Sequence, residues 1–139
     1  MKSITPQLVK FAVAAILLTI IFRFCLSYGI ENQNYIIILT SSILYGGLMF
    51  SFGWYLGKKD GEYLPIYDVG FRFHFTTFLV HNIISLLWFA FGFESKYEKI
   101  NVVYLTILIW IPILLFHLYF YLKAQKKSIN GLNKDDLFE

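Results

Sequence analysis

Four long apolar blocks alternate with short polar segments along this chain, and the pattern predicts four helices rather than strands. The spans fall at about 8–29, 35–57, 73–93 and 100–122, each close to the roughly 20 residues that cross a bilayer. Thr5-Pro6 suits the start of the first, because proline is tolerated at the first helical position. Residues 30–34 (Ile-Glu-Asn-Gln-Asn) and 94–99 (Glu-Ser-Lys-Tyr-Glu-Lys) read as tight polar turns. The longest expected connection, 58–72, is punctuated by Asp60-Gly61, Pro65 and Gly70. The expected fold is an all-α integral membrane four-helix bundle over residues 1–127, followed by a short tail at 128–139.

Composition strengthens this picture. The 139 residues are 58% hydrophobic, 20% aromatic and 15% charged, with a mean hydropathy of +0.61. A soluble domain carries about 25% charged and about 45–50% apolar residues, so ordinary soluble and disordered classes are both excluded. Four spans use most of these residues and leave no stretch among them for a soluble catalytic domain. The lone Cys25 forms no internal disulfide. Lys2 and Lys10 before the first block imitate a signal peptide, but apolar character resumes after Arg23 and no small-x-small site precedes Glu31. A retained helix is expected.

Lysine and arginine predict the orientation. Lys2, Lys10, Lys58, Lys59, Arg72, Lys123, Lys126, Lys127 and Lys134 lie on one side, against Lys96 and Lys99 on the other. Both termini are therefore expected in the cytoplasm. Arg23, inside the first span, is expected to snorkel to the interface. Tyr28, Tyr35, Trp54, Tyr55, Trp88, Tyr97 and Tyr121 fall near span ends, as an aromatic belt does.

Two spans carry stripes of other residue types. In the second, Ser42, Gly46, Gly53 and Gly57 lie within about 60° of one another on a helical wheel. Small residues in one stripe let helix backbones approach, which drives association in lipid. The stripe is expected to pack helices, either between subunits or within one bundle. In the third span His74, Thr77, His81 and Ser85 fall at about 0°, 300°, 340° and 20°. Polar side chains such as His81 and Asn82 near mid-span are costly and face protein or water. This stripe is expected to line a water-filled path; the competing reading is that it hydrogen-bonds neighbouring helices together.

Pro112 removes a backbone donor in the fourth span and crowds the Leu108 carbonyl, which predicts a kink and a candidate gate. His117 lies at roughly the depth of His74, raising the alternative of a haem held by two imidazoles. Enzyme signatures are absent: the chain has no HExxH, CxxC, GxSxG or P-loop pattern, and every Asp and Glu falls outside the expected spans. No catalytic residue, metal site or cofactor is expected.

Lys58, Lys59, Arg72, Lys123, Lys126 and Lys127 form an expected basic rim at the inner surface. Repeated around a symmetric oligomer, it would hold an anion such as a nucleotide or oligonucleotide; the alternative is the positive-inside rule acting alone. In the tail, Asn130-Gly131 signals a turn, and Asn133 with Asp135 and Asp136 suits a short helical turn. Its Leu132, Leu137 and Phe138 would offer an apolar side to a protein partner or a neighbouring subunit.

Phe71, His74, Asn82, Trp110, Pro112 and His117 resemble a pattern in two-helix membrane modules of bacteria, which assigns no chemistry. As an architecture, a compact four-span chain resembles the small membrane effectors of bacterial anti-phage defence systems. That resemblance implies an oligomer that permeabilises the inner membrane under a cytoplasmic signal, and it carries no site residues. The leading expectation is a homo-oligomeric channel or pore-type effector in a bacterial inner membrane. A non-catalytic assembly subunit of a larger membrane complex is the alternative.

Overall fold

The computed structural model describes residues 4–62, 64 and 66–130, with the side chains of 66, 67 and 124–130 outside the description. The fold is α1 (Pro6–Glu31), α2 (Tyr35–Asp60), α3 (Ile66–Ala90) and α4 (Asn101–Asn130). All four are long and apolar enough to cross a membrane. Their outer faces carry large apolar side chains in the open, such as Ile36, Phe50, Leu108 and Phe116, as helices surrounded by lipid do. Two ends are distinguishable. Thr5, Asp60, Asp68 and Lys123 lie towards the terminal end, and the turns at 32–34 and 91–100 form the loop end.

Capping fixes the helix ends. Thr5 accepts the Leu8 amide at 3.1 Å at the start of α1, with Pro6 at the first helical position. At its other end the amides of Gln33 and Asn34 reach back to the carbonyls of Ile30 (3.1 Å) and Gly29 (2.8 Å). This is a Schellman closure, and it places Gln33 at φ 53, a conformation that favours glycine. Asn34 then caps α2 by accepting the amides of Ile36 and Ile37 at 3.1 and 3.2 Å. The same closure ends α3, where Gly92 takes φ 71 and Phe93 bonds back to Trp88 at 3.0 Å. Helix α3 therefore stops at Ala90, short of the expected 93.

The connection expected at 58–72 is a correction. Helix α2 continues to Asp60 and α3 begins at Ile66, so that only 61–65 separate them. Gly70 sits inside α3 without breaking it. Asp68 in the first turn holds Arg72 one turn on, with a nitrogen–oxygen distance of 2.8 Å, and an acid there favours the helix start. Helix α4 likewise runs beyond 122, through Pro112, to Asn130. The remainder of the expected tail, 131–139, lies outside the described residues, as does Lys2.

Helix α1 packs on α2 and α3, α2 also touches α3, and α4 packs on α3 alone among the four. An apolar core of Phe11, Ala15, Met49, Leu56, Val69 and Phe73 fills the terminal half, with the Phe11 and Phe73 rings 4.9 Å apart. The loop half has a different interior. Thr19, Arg23, Ser27, Asn82, Ser85 and Ser95 are buried there.

Candidate functional site: a polar relay across four helices

At mid-height one connected group draws a side chain from every helix. Thr19 of α1 donates its hydroxyl to the Ala15 carbonyl at 2.7 Å and lies 3.0 Å from the Tyr45 hydroxyl of α2. Tyr45 lies 3.0 Å from Nδ1 of His81 on α3. With the single Thr19 proton directed to Ala15, Tyr45 donates to Thr19 and accepts from His81, whose Nδ1 then carries the hydrogen. The His81 ring is 5.5 Å from that of Trp110 on α4. Trp110 donates its indole hydrogen to Nε2 of His74 at 2.7 Å. An indole is a donor only, so this His74 nitrogen is unprotonated. His117 of α4 completes the group, its ring stacked on His74 at 4.8 Å.

Of the expected α3 stripe, the structure thus holds His74 and His81 against different partners, α4 and α2. Thr77 donates to its own helix at Phe73 (3.0 Å), and Ser85 is 1% exposed. The Ser85 hydroxyl and the Asn82 side-chain oxygen are buried without a hydrogen-bond partner among the described residues. The stripe faces the interior of a single chain. Tyr45 and Thr19 escaped the sequence reading, although each is a hydroxyl near the middle of an apolar span, the same signal that marked His81.

Towards the loop end lies a second buried polar group. Arg23, 5% exposed, pairs with Glu98 at 2.6 Å and rests between the rings of Trp88 and Phe89 at 5.9 and 5.5 Å. Arg23 sits about 12 Å below the end of α1. The Arg23 side chain thus meets a carboxylate of segment 91–100 within the chain rather than water. Nearby, Trp88 donates to Ser27 at 2.9 Å, while Ser95 donates to Glu31 at 2.6 Å.

The small-residue stripe of α2 divides. Gly53 and Gly57 face neighbours within the chain, where an added Cβ would lie 3.6 Å from Phe11 and 3.4 Å from Val69. Ser42 is exposed, and among the described residues nothing lies within 4 Å of a Cβ placed on Gly46. Pro112 is exposed, on a face of α4 turned away from the core.

At the expected rim, Lys58, Lys59 and Lys123 are exposed, the last two over the rings of Tyr55 (4.4 Å) and Tyr119 (5.9 Å). Arg72 is engaged with Asp68 rather than free for an anion. Lys126 and Lys127 lie on the extension of α4, their side chains outside the description. Among the described residues no three His, Cys, Asp or Glu gather as metal ligands. The stacked His74 and His117 rings, one already bonded to Trp110, do not leave the space of a haem ligated from both sides. No protein-family model, curated protein or solved structure matches the chain.

Proposed function

We propose that this chain is a multi-pass membrane channel or pore-type effector whose path follows the polar face of α3, and that the packing described above is its shut form. Two interhelical hydrogen-bonded groups carry this reading, Thr19–Tyr45–His81 and Trp110–His74 with His117 stacked beside it, which meet at the ring contact between His81 and Trp110. Polar groups at the middle of apolar helices are costly, and their usual uses are ion paths and proton relays. Each relay bond joins two different helices. Water can replace the partner when the helices part, because a water-mediated bond is nearly as favourable as a direct one. The unpartnered oxygens of Asn82 and Ser85, with Thr77, extend the same face for such water.

Subunits of a homo-oligomer meet, in this reading, along the exposed Ser42 and Gly46 of α2, where backbones can approach closely. The excess of lysine and arginine at the terminal end supports an orientation with both termini in the cytoplasm, and the membrane in this reading is a bacterial inner membrane. Lys58, Lys59, Lys123, Lys126 and Lys127 there receive a gating anion, a nucleotide or oligonucleotide, or a cytoplasmic protein partner, in an anti-phage role.

Ion flux through proteoliposomes of the purified chain, with and without oligonucleotides, tests the proposal. Flux that responds to the anion and is lost in the paired variant His81→Leu/Thr77→Val is expected. Flux unaltered in that variant overturns the path along α3. No flux under any condition, with insertion verified, overturns conduction and leaves the assembly-subunit reading.

A further inference from the structure

No acid lies on the four helices between their ends. Helix α1 has none before Glu31, α2 none before Asp60, α3 none after Asp68 and α4 none at all. Arg23, the cation within the first span, is taken up by Glu98. A metal ion that sheds its water needs rings of charged side chains or carbonyls in exchange, and a path for anions needs cations free to line it. The middle of this bundle offers neither. It offers imidazole and hydroxyl, which carry no fixed charge and can each accept or release a hydrogen.

His81 stands at the centre of that region. Tyr45 of α2 holds the hydrogen on Nδ1, which leaves Nε2 a bare acceptor with no partner among the described residues. The ring is half-buried. Of the groups around it, α1 supplies Phe22 at 6.2 Å and the charge of Arg23, already paired, and α4 supplies Trp110. No carboxylate is among them, so a proton received at Nε2 meets no counter-charge that would trap it there. Two turns away, about 10.5 Å along α3, Nε2 of His74 is closed by Trp110. His117, stacked on His74, is half-buried and has neither nitrogen bonded among the described residues. Thr77 lies on α3 between the two depths.

We propose that the species carried along this face is the proton, with His81 and His117 as its stations. Hydronium on one side gives a proton to Nε2 of His81. One N–H bond forms, and the same bond breaks when the proton passes to water on the other side. The Nδ1 hydrogen stays with Tyr45 throughout, so the ring returns to its starting tautomer. His117 serves in the same way nearer the terminal end. Water between the two stations, alongside the Thr77 hydroxyl, completes the path when α3 and its neighbours part. This inference rests on the conduction reading and names what is conducted.

Proteoliposomes of the full chain, with a pH-sensitive dye inside and valinomycin setting the potential, test it in the presence and absence of oligonucleotides. Parallel vesicles without valinomycin report sodium, potassium and chloride. Proton flux should exceed that of empty liposomes several-fold, while the other three ions stay at the empty-liposome rate. Glutamine keeps the polarity of histidine and would leave a water-filled ion pore open, but it takes up no proton. His81→Gln should therefore lower proton flux several-fold. His117→Gln, at a ring without a hydrogen bond, should do the same. Sodium, potassium or chloride flux above that of empty liposomes would overturn the proton assignment and leave the channel standing. Proton flux unaltered in either variant would remove that histidine as a station and overturn the path. No flux of any species, with insertion verified, would overturn conduction and this inference with it.

Discussion

The indole of Trp110 donates to Nε2 of His74 at 2.7 Å, so a tryptophan on α4 selects which nitrogen of a histidine on α3 is bare. Neutral His74 then carries its hydrogen on Nδ1. Nitrogen NMR of the histidine side chains should show this tautomer in the wild type. In Trp110→Phe the bond is gone, and the chain should lose about 1 kcal/mol of stability in mixed micelles, the scale of interhelical hydrogen bonds in membrane proteins. An unaltered tautomer and stability would remove the bond from the account.

Tyr45 links α1 to α3, and its loss should be felt at both ends. Thr19→Val and Tyr45→Phe should not add in an unfolding double-mutant cycle, because each leaves the other without its partner. A coupling of about 0.5–1.5 kcal/mol is expected, and strict additivity would mean that the two hydroxyls act independently.

The Arg23–Glu98 pair is expected to behave asymmetrically. Arg23→Met or Glu98→Leu alone leaves a buried charge with no counter-charge from its partner and should destabilise the chain by about 3–5 kcal/mol. The double variant removes both charges and should recover most of that loss. Its unfolding midpoint beside the two single variants decides the matter.

Glycine substitutions at the α1–α2 turn should have opposite signs. Gln33→Gly relieves a left-handed backbone and should stabilise by about 1 kcal/mol. Gly29→Ala should destabilise, because its Cβ would lie 2.9 Å from an Ile38 side-chain carbon and 3.3 Å from the Ile38 amide nitrogen. Thermal unfolding of both variants gives the two signs directly.

Gly46→Leu separates packing within a chain from packing between chains. Among the described residues nothing lies within 4 Å of a Cβ at this position, so the fold of the monomer should be retained. The proposed homo-oligomer along α2 predicts weaker subunit association in this variant, which cross-linking in liposomes would report as a loss of oligomer. An unchanged oligomer would move the contact to another helix.

The four spans were legible because apolar run length is a strong signal, and Thr5-Pro6 marked its cap correctly. The connection is shorter than the expected 58–72 because Asp60-Gly61 and Pro65 bound it, whereas a glycine at 70 does not by itself interrupt a helix. Asp68 instead supports the start of α3 through Arg72, and Gly70 is carried within the helix by its neighbours. The histidine stripe was visible as a period, but its partners were not. Periodicity on one helix cannot show that Tyr45 and Trp110 arrive from two others. Glu98 was invisible for a related reason: a carboxylate in a polar loop gives no sign that the loop folds inward to an arginine.

That inward fold has a consequence for biogenesis. Arg23 leaves the ribosome 75 residues before the carboxylate that neutralises it. During membrane insertion α1 therefore precedes its counter-charge, and until Glu98 is made the Arg23 side chain has to find water or headgroups, a cost that the apolar residues of α1 offset. The pair forms only once the segment leading into the last helix has been made.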